Sequence, residues 1–214
     1  MALMLYFLRH AQTDYCATGG YCGSTANDPG LTGAGHEMAA SFAEHYQNVP
    51  WTAIYSSPLQ RALDTVTPLC KSVGMEPTLH NGLREIAYGH WEGLHPTEVD
   101  SQFHDEYVRW LTDPGWNAPT GGERAVDIAR RASVVLDEIE RKFQDGNILL
   151  VSHKATIRIV LCVLMGVDVG RYRDRFAMPV AGLSRVELSD KGPMFHALAD
   201  RSYLSPELQA LPST

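Results

Sequence analysis

The sequence predicts an α/β protein, a three-layer α/β/α arrangement with a mostly parallel central sheet and a small cap insertion. Three observations predict it. Short runs at residues 1–8, 53–57 and 147–151 have strand length and little polar alternation, as expected of strands covered on both faces. Segments with the apolar spacing of helices lie between them, and strands alternating with helices build parallel sheets. Two runs end on Arg9-His10 and on His153. Open α/β sheets bind ligands at the carboxyl ends of their strands, so this is an active-site address.

Taken in order, the first run delivers a cation and an imidazole at its carboxyl end. After a loop, a helix is expected from about Thr32, with Met38 and Phe42 turned inward. The second strand, residues 53–57, leads into Pro58-Leu59-Gln60-Arg61, where Ser57 suits the helix N-cap and Pro58 the first helical position. Apolar positions at Leu59, Ala62, Leu63, Val66, Leu69, Cys70 and Val73 give that helix one buried face. Gly74 would close it, and Pro68 within it predicts a kink. Arg61 then falls in the first turn, beside free N–H groups and the positive end of the helix dipole, a setting that attracts an oxyanion. The competing reading is a solvated arginine.

Residues 86–122 read as a long irregular region rich in aromatics and glycine. Such an insertion over the carboxyl edge of a sheet suits a cap that selects substrate, with Tyr88, His90, His95 and His104 as candidates and Trp91, Trp110 and Trp116 pinning it down. A long helix is expected next, from about Glu123 to Phe143, with Val126, Ala129, Val135, Leu136 and Ile139 inward and Gly146 at its end. Residues 147–152 form a strand ending at His153, and residues 155–164 a helix. Two late strands, 183–188 and 194–198, flank the turn chemistry of Ser189-Asp190-Lys191-Gly192-Pro193. The polar, Pro-containing segment 205–214 is expected to fray.

Composition bounds the function. With 214 residues, 44% hydrophobic and 20% charged, one domain is the default. The formal charge of −7, with no basic stripe, argues against nucleic acid as a partner, and any positive potential must be local to a cleft. No apolar stretch reaches membrane-spanning length and no secretory signal is visible, so no membrane partner and a cytoplasmic location are expected. Four cysteines, Cys16, Cys22, Cys70 and Cys162, show no metal-ligand spacing. A homodimer stays open. The chain also lacks the C-x5-R, Asp-x-Asp, phosphate-loop, G-x-S-x-G and H-E-x-x-H motifs of several phosphoryl-transfer and hydrolase designs.

Four strings now carry a resemblance. Leu8-Arg9-His10-Ala11-Gln12-Thr13, Tyr55-Ser56-Ser57-Pro58-Leu59-Gln60-Arg61-Ala62, Leu83-Arg84-Glu85-Ile86-Ala87-Tyr88-Gly89-His90-Trp91-Glu92-Gly93 and Val151-Ser152-His153-Lys154 resemble, in order and spacing, the four signatures of the histidine phosphatase superfamily, or phosphoglycerate mutase-like family. The resemblance covers roughly residues 3–190. It implies His10 as the nucleophile, Arg9, Arg61 and His153 as phosphate ligands, and Glu85 as proton donor to the leaving oxygen. The residue types suit that chemistry: two guanidinium forks and an imidazolium would meet the charge spread over the equatorial oxygens, and neighbouring cations would keep His10 neutral.

The sequence departs from the family's wording at several points. Ala11 and Lys154 stand where glycine is usual, and Lys154 could reach a carboxylate or second phosphate. Cys16 and Cys22 replace amide side chains, so backbone N–H groups around Gly23 and Ser24 are the expected compensation. Tyr88 replaces a histidine of the family's phosphoserine phosphatases. With Glu85-Ile86-Ala87-Tyr88-Gly89 followed by Trp91-Glu92-Gly93, the wording resembles the family's hydrolases more than its mutases. The reading is a phosphatase that hydrolyses a small acidic phosphomonoester through a phosphohistidine, with no metal and no cofactor. A phosphoglycerate mutase and a silent phospho-ligand binding module are the alternatives.

Overall fold

The computed structural model describes residues 2–24 and 28–213; Met1 of the first apolar run and Thr214 of the tail lie outside them. Among the described residues six strands form one sheet: β1 (Leu3–Arg9), β2 (Trp51–Ser56), β3 (Thr78–Leu79), β4 (Gly146–Ser152), β5 (Leu183–Ser189) and β6 (Gly192–Asp200). The spatial order is β3-β2-β4-β1-β5-β6. The first four are parallel, with β1 paired to β4 in register from Leu3 on Gly146 to Arg9 on Ser152, while β5 and β6 run antiparallel on the other side of β1. β1 and β4 therefore sit at the centre, and the residues that leave them, His10 and His153, emerge side by side.

Strand alternation explains the three layers. Leu3, Leu5 and Phe7 of β1, with Ile148 and Leu150 of β4, pack on one face against α5 (Ala125–Lys142) and α6 (Lys154–Met165) through Val135, Leu136, Ile139, Ile157, Val160 and Leu161. Tyr6 and Leu8, with Leu149 and Val151, face the opposite way onto α2 (Gly33–Tyr46) and α3 (Gln60–Val73) through Phe42, Ala43, Tyr46, Ala62, Val66 and Leu69. Successive side chains of a strand point to opposite faces, so an unbroken apolar run is what two helix layers require.

Several expectations need correction. A short helix α1 (Asp14–Thr18) interrupts the first loop. In α3 the first helical residue is Gln60, two positions later than expected, with Leu59 at the N-cap; Pro68 lies inside a helix that continues to Val73, and Gly74 closes it in the left-handed region at φ 68°. The region read as irregular contains α4 (Pro96–Thr112), broken by non-helical backbone at Phe103. Val99, Phe103, Tyr107 and Trp110, at helical spacing, form its inward stripe against Trp91; the stripe is narrow, with only Val99 and Trp110 fully buried. In α5 the buried face begins at Ala125 and Ile128, one position from the expected Val126 and Ala129, which are half-buried. Gly146 does not end α5, which stops at Lys142; it opens β4.

The tail does not fray as far as Ser213. α8 (Pro206–Gln209) buries Leu208, the Pro212 carbonyl accepts from Gln12 Nε2 at 3.1 Å, and Ser213 Oγ accepts from Val180 N at 2.7 Å. Trp91 and Trp110 are buried and pin the 86–122 segment, with their rings 5.3 Å apart, edge to face. Trp116 is 66% exposed and pins nothing inward. No described helix is long and apolar enough to cross a membrane.

Candidate active site

The carboxyl ends of β1, β2 and β4 meet at one cavity of about 540 Å³. Its wall includes Arg9, His10, Arg61, Glu85, Tyr88 and Lys154, six of the residues singled out from the sequence. His153 lies beneath it with its ring centroid 5.2 Å from that of His10.

His10 leaves β1 with its backbone N–H bonded to the Ser152 carbonyl, which ties it to the end of β4. Its Nδ1 lies 2.8 Å from the Ala11 carbonyl. A carbonyl only accepts, so Nδ1 carries the hydrogen and Nε2 keeps its lone pair. Ala11 is itself held by its N–H on Thr65 Oγ1 of α3, at 2.9 Å. Burial first, and then the guanidiniums of Arg61 and Arg9, hold the His10 imidazole well below its ordinary pKa. The cations expected to keep it neutral do contribute, but desolvation outweighs them.

Arg61 is almost fully buried, so the solvated reading fails. Its guanidinium donates to the Gly23 carbonyl at 2.8 Å and pairs with Asp28 at 2.9 Å. Arg9 donates to the Met178 carbonyl at 2.6 Å and to Cys16 Sγ at 3.5 Å. Both forks are oriented by the protein before any ligand arrives, which is how charge-assisted donors contribute without reorganisation.

His153 corrects the expectation of an imidazolium. It is fully buried, and burial, then Arg61, His10, Arg131 and Arg9, depress its pKa well below the ordinary value. Its Nε2 lies 2.8 Å from Ser57 Oγ, while Nδ1 is buried without a partner among the described residues. Ser57 Oγ already accepts from Leu59 N at 3.3 Å and retains its own hydrogen to donate to Nε2. In that tautomer Nδ1–H is a buried donor in want of an acceptor, which is costly unless a ligand supplies one.

Glu85 sits at the amino end of α6. Oε1 accepts from Ile86 N at 2.9 Å and Thr156 N at 3.2 Å, and lies 3.3 Å from Thr156 Oγ1, whose one hydrogen goes to the Arg84 carbonyl at 2.7 Å; among the described residues Oε2 accepts from Ala155 N alone, at 3.1 Å. Oε2 is therefore the oxygen with room for a proton. Arg131 of α5 braces the segment behind it by donating to the carbonyls of Gly82 at 2.8 Å and Glu85 at 3.2 Å, and it is itself gripped by Glu123 at 3.0 Å.

Other candidates divide. Tyr88 and His95 line the cavity, whereas His90 is exposed on the outside and His104 is exposed and pairs with Asp100. Cys16 and Cys22 both line it. Gly23 N–H donates to Glu92 Oε2 at 2.8 Å, the Ser24 carbonyl accepts from Arg84, and neither residue is part of the cavity wall. Three contributors escaped the sequence reading. Ser57 looked like an ordinary helix cap, Thr65 like one polar residue on α3, and Arg173 of the short helix α7 (Tyr172–Arg175), which lines the cavity, stands in no motif. Among the described residues no group of three or more His, Cys, Asp or Glu side chains is placed to hold a metal ion.

Comparison with known proteins fits this geometry. Residues 5–201 match the family described as the histidine phosphatase superfamily, branch 1. The chain is 33% identical over 175 residues to a glucosyl-3-phosphoglycerate phosphatase of Mycolicibacterium vanbaalenii, covering 78% of this chain and 76% of that protein. It is 28% identical over 168 residues to phosphoserine phosphatase 1 of Hydrogenobacter thermophilus, covering 78% and 79%. The solved structure of a mycobacterial glucosyl-3-phosphoglycerate phosphatase superposes with a TM-score of 0.84 at 26% identity, over 93% of this chain and 99% of that one.

Proposed function

Since the chain belongs to the histidine phosphatase superfamily and is a phosphoric monoester hydrolase, we propose that it hydrolyses a small acidic phosphomonoester through a phosphohistidine at His10, without a metal. The observation that supports this most is the fixed state of His10: Nδ1 is tied to the Ala11 carbonyl and Nε2 is left neutral beside Arg9 and Arg61. A nucleophile needs a lone pair, and a phosphoryl group needs cations on its equatorial oxygens.

In this mechanism Nε2 attacks phosphorus as the ester P–O bond breaks, and the proton on Glu85 Oε2 passes to the leaving oxygen. Arg9, Arg61 and the His153 Nδ1–H meet the phosphoryl oxygens. Glu85, now a carboxylate, takes a proton from water as that water attacks phosphorus and the P–N bond breaks. Orthophosphate leaves, and the enzyme returns to its starting protonation. The guanidiniums supply the charge that a metal ion supplies in other phosphoryl-transfer sites. The names of the relatives favour hydrolysis over mutase chemistry, and the unobstructed chemical positions disfavour a silent binder. The 86–122 segment acts in this reading as a cap on a single domain, and the cytoplasm is the proposed location; a homodimer fits the reading but is not required by it.

The test is to supply 3-phosphoglycerate with a trace of 2,3-bisphosphoglycerate, and separately an aryl phosphate, and follow products. Phosphate release from both, exceeding formation of 2-phosphoglycerate, is expected. Sustained 2-phosphoglycerate formation in excess of phosphate would mean a mutase, and no turnover of either would mean a binder.

A further inference from the structure

Beyond the phosphate pole, the cavity carries two cations that the mechanism does not use. Lys154, the first residue of α6, and Arg173 of α7 both line it. Neither side chain makes a hydrogen bond or ion pair to a described residue. Arg173 lies with its guanidinium carbon 3.9 Å from the centroid of the buried Trp110 ring, a contact that fixes its plane and keeps its donors free. Lys154 is half-buried, and burial, then Arg9 and Arg158, push its ammonium down to about 8. Glu85 and Cys16 act the other way but do not offset burial and the two guanidiniums, so the ammonium is under-compensated.

The lining of the cavity has one carboxylate, Glu85, against Arg9, Arg61, Lys154 and Arg173. A phosphate dianion answers Arg9 and Arg61. It leaves Lys154 and Arg173 unanswered, on a wall whose other residues, Tyr21 and Tyr88 among them, carry no carboxylate apart from Glu85, in a protein whose formal charge is −7. Solvated surface cations would not be drawn into a recess; these two face inward.

We infer that Lys154 and Arg173 form a second anion-binding pole, so that the substrate carries, besides its phosphomonoester, an anionic group on the carbon skeleton. This rests on the hydrolase reading above. The anion is a carboxylate or a second phosphate, since a guanidinium fork accepts either. Truncating one partner of a charge pair leaves the other unanswered, so at a partly exposed pole the loss should be about tenfold or more.

The experiment compares kcat/KM for three esters: 3-phosphoglycerate, 1,3-propanediol bisphosphate and glycerol 3-phosphate, the last with a neutral hydroxymethyl in place of the second anion. The wild-type enzyme should prefer at least one doubly charged ester, and which one identifies the anion. In Lys154→Met and Arg173→Met that preference ratio should fall about tenfold or more, whatever change all three substrates share, and Arg173→Lys should restore part of it. Equal hydrolysis of the three esters by wild type, or ratios unmoved by the substitutions, would overturn the second pole alone. Release of phosphate from none of the three, nor from an aryl phosphate, would overturn hydrolysis itself and the pole with it.

Discussion

His153 Nε2 and the Ser57 hydroxyl lie 2.8 Å apart, joining the end of β4 to the end of β2 beneath the phosphate pole. The contact leaves Nδ1 as the nitrogen that meets a phosphoryl oxygen in the proposed mechanism. Ser57 is thus a positioning residue. Ser57→Ala should lower kcat by roughly two- to tenfold, the range set by a net hydrogen bond of about 0.5–1.5 kcal/mol, while Ser57→Thr restores most of it. Steady-state kinetics on an aryl phosphate check this; a loss that threonine does not rescue would mean that Ser57 acts only through packing.

Replacing Glu85 with Gln should slow alkyl esters far more than aryl esters, because only a poor leaving group needs a proton as the bond breaks. General-acid help is worth typically ~10²–10⁴-fold. Equal slowing of both would show that Glu85 holds the amino end of α6 in place through its bonds to Ala155 and Thr156 and does not transfer a proton.

The pH dependence of stability is set by two buried imidazoles. His10 and His153 both have folded pKa values depressed by burial and by neighbouring cations. The unfolded chain, with ordinary values of about 6.5, binds protons that the folded chain refuses. Full stability is therefore present above about pH 6.5 and is lost as pH falls from there through the depressed folded values, at up to about 1.4 kcal/mol per pH unit for each histidine. Calorimetric Tm measured from pH 8 to 5 should fall, and His10→Ala should fall less steeply. An identical slope would show that other groups set it.

Lys154 gives a kinetic signature of its own. Arg9 from β1, Arg158 from α6, Glu85 and Cys16 from α1 face it, and their balance with burial places it at about 8. A bound anion favours the charged ammonium, so KM for a doubly charged ester should rise as pH climbs above about 8. Lys154→Arg should flatten the rise, because guanidinium stays protonated there. A rise shared equally by glycerol 3-phosphate, or retained in the arginine variant, would remove Lys154 from substrate binding.

Activity should survive exhaustive chelation, since Arg9 and Arg61 already present oriented cations. A loss restored by Mg²⁺ or Zn²⁺ would contradict the charge assignment.

Much of the fold and the site was legible in the residues. The apolar runs of β1 and β4 announce strands buried on both faces, and the histidines at their carboxyl ends, His10 and His153, locate the site. Arg61 was placed correctly through the periodicity of α3. The parts that escaped had weak signals: the stripe of α4, Val99, Phe103, Tyr107 and Trp110, is narrow and set among polar residues, and Arg173 is one of three arginines in a stretch of five residues, distinguished only by the Trp110 ring beneath it. The partner of the Gly23 N–H was invisible in the sequence, because Glu92, which takes it, lies sixty-nine residues away. The neutral state of His153 likewise depends on burial, a property of the assembled fold.

The central claim is that His10 carries the phosphoryl group, and the direct measurement is covalent trapping. Brief reaction with a ³²P-labelled phosphomonoester, quenched in alkali, should leave acid-labile, alkali-stable label on the chain, and peptide mapping should place it at His10; His10→Ala should take up none. Label on a serine, an aspartate or His153, or turnover undiminished in His10→Ala, would contradict the account.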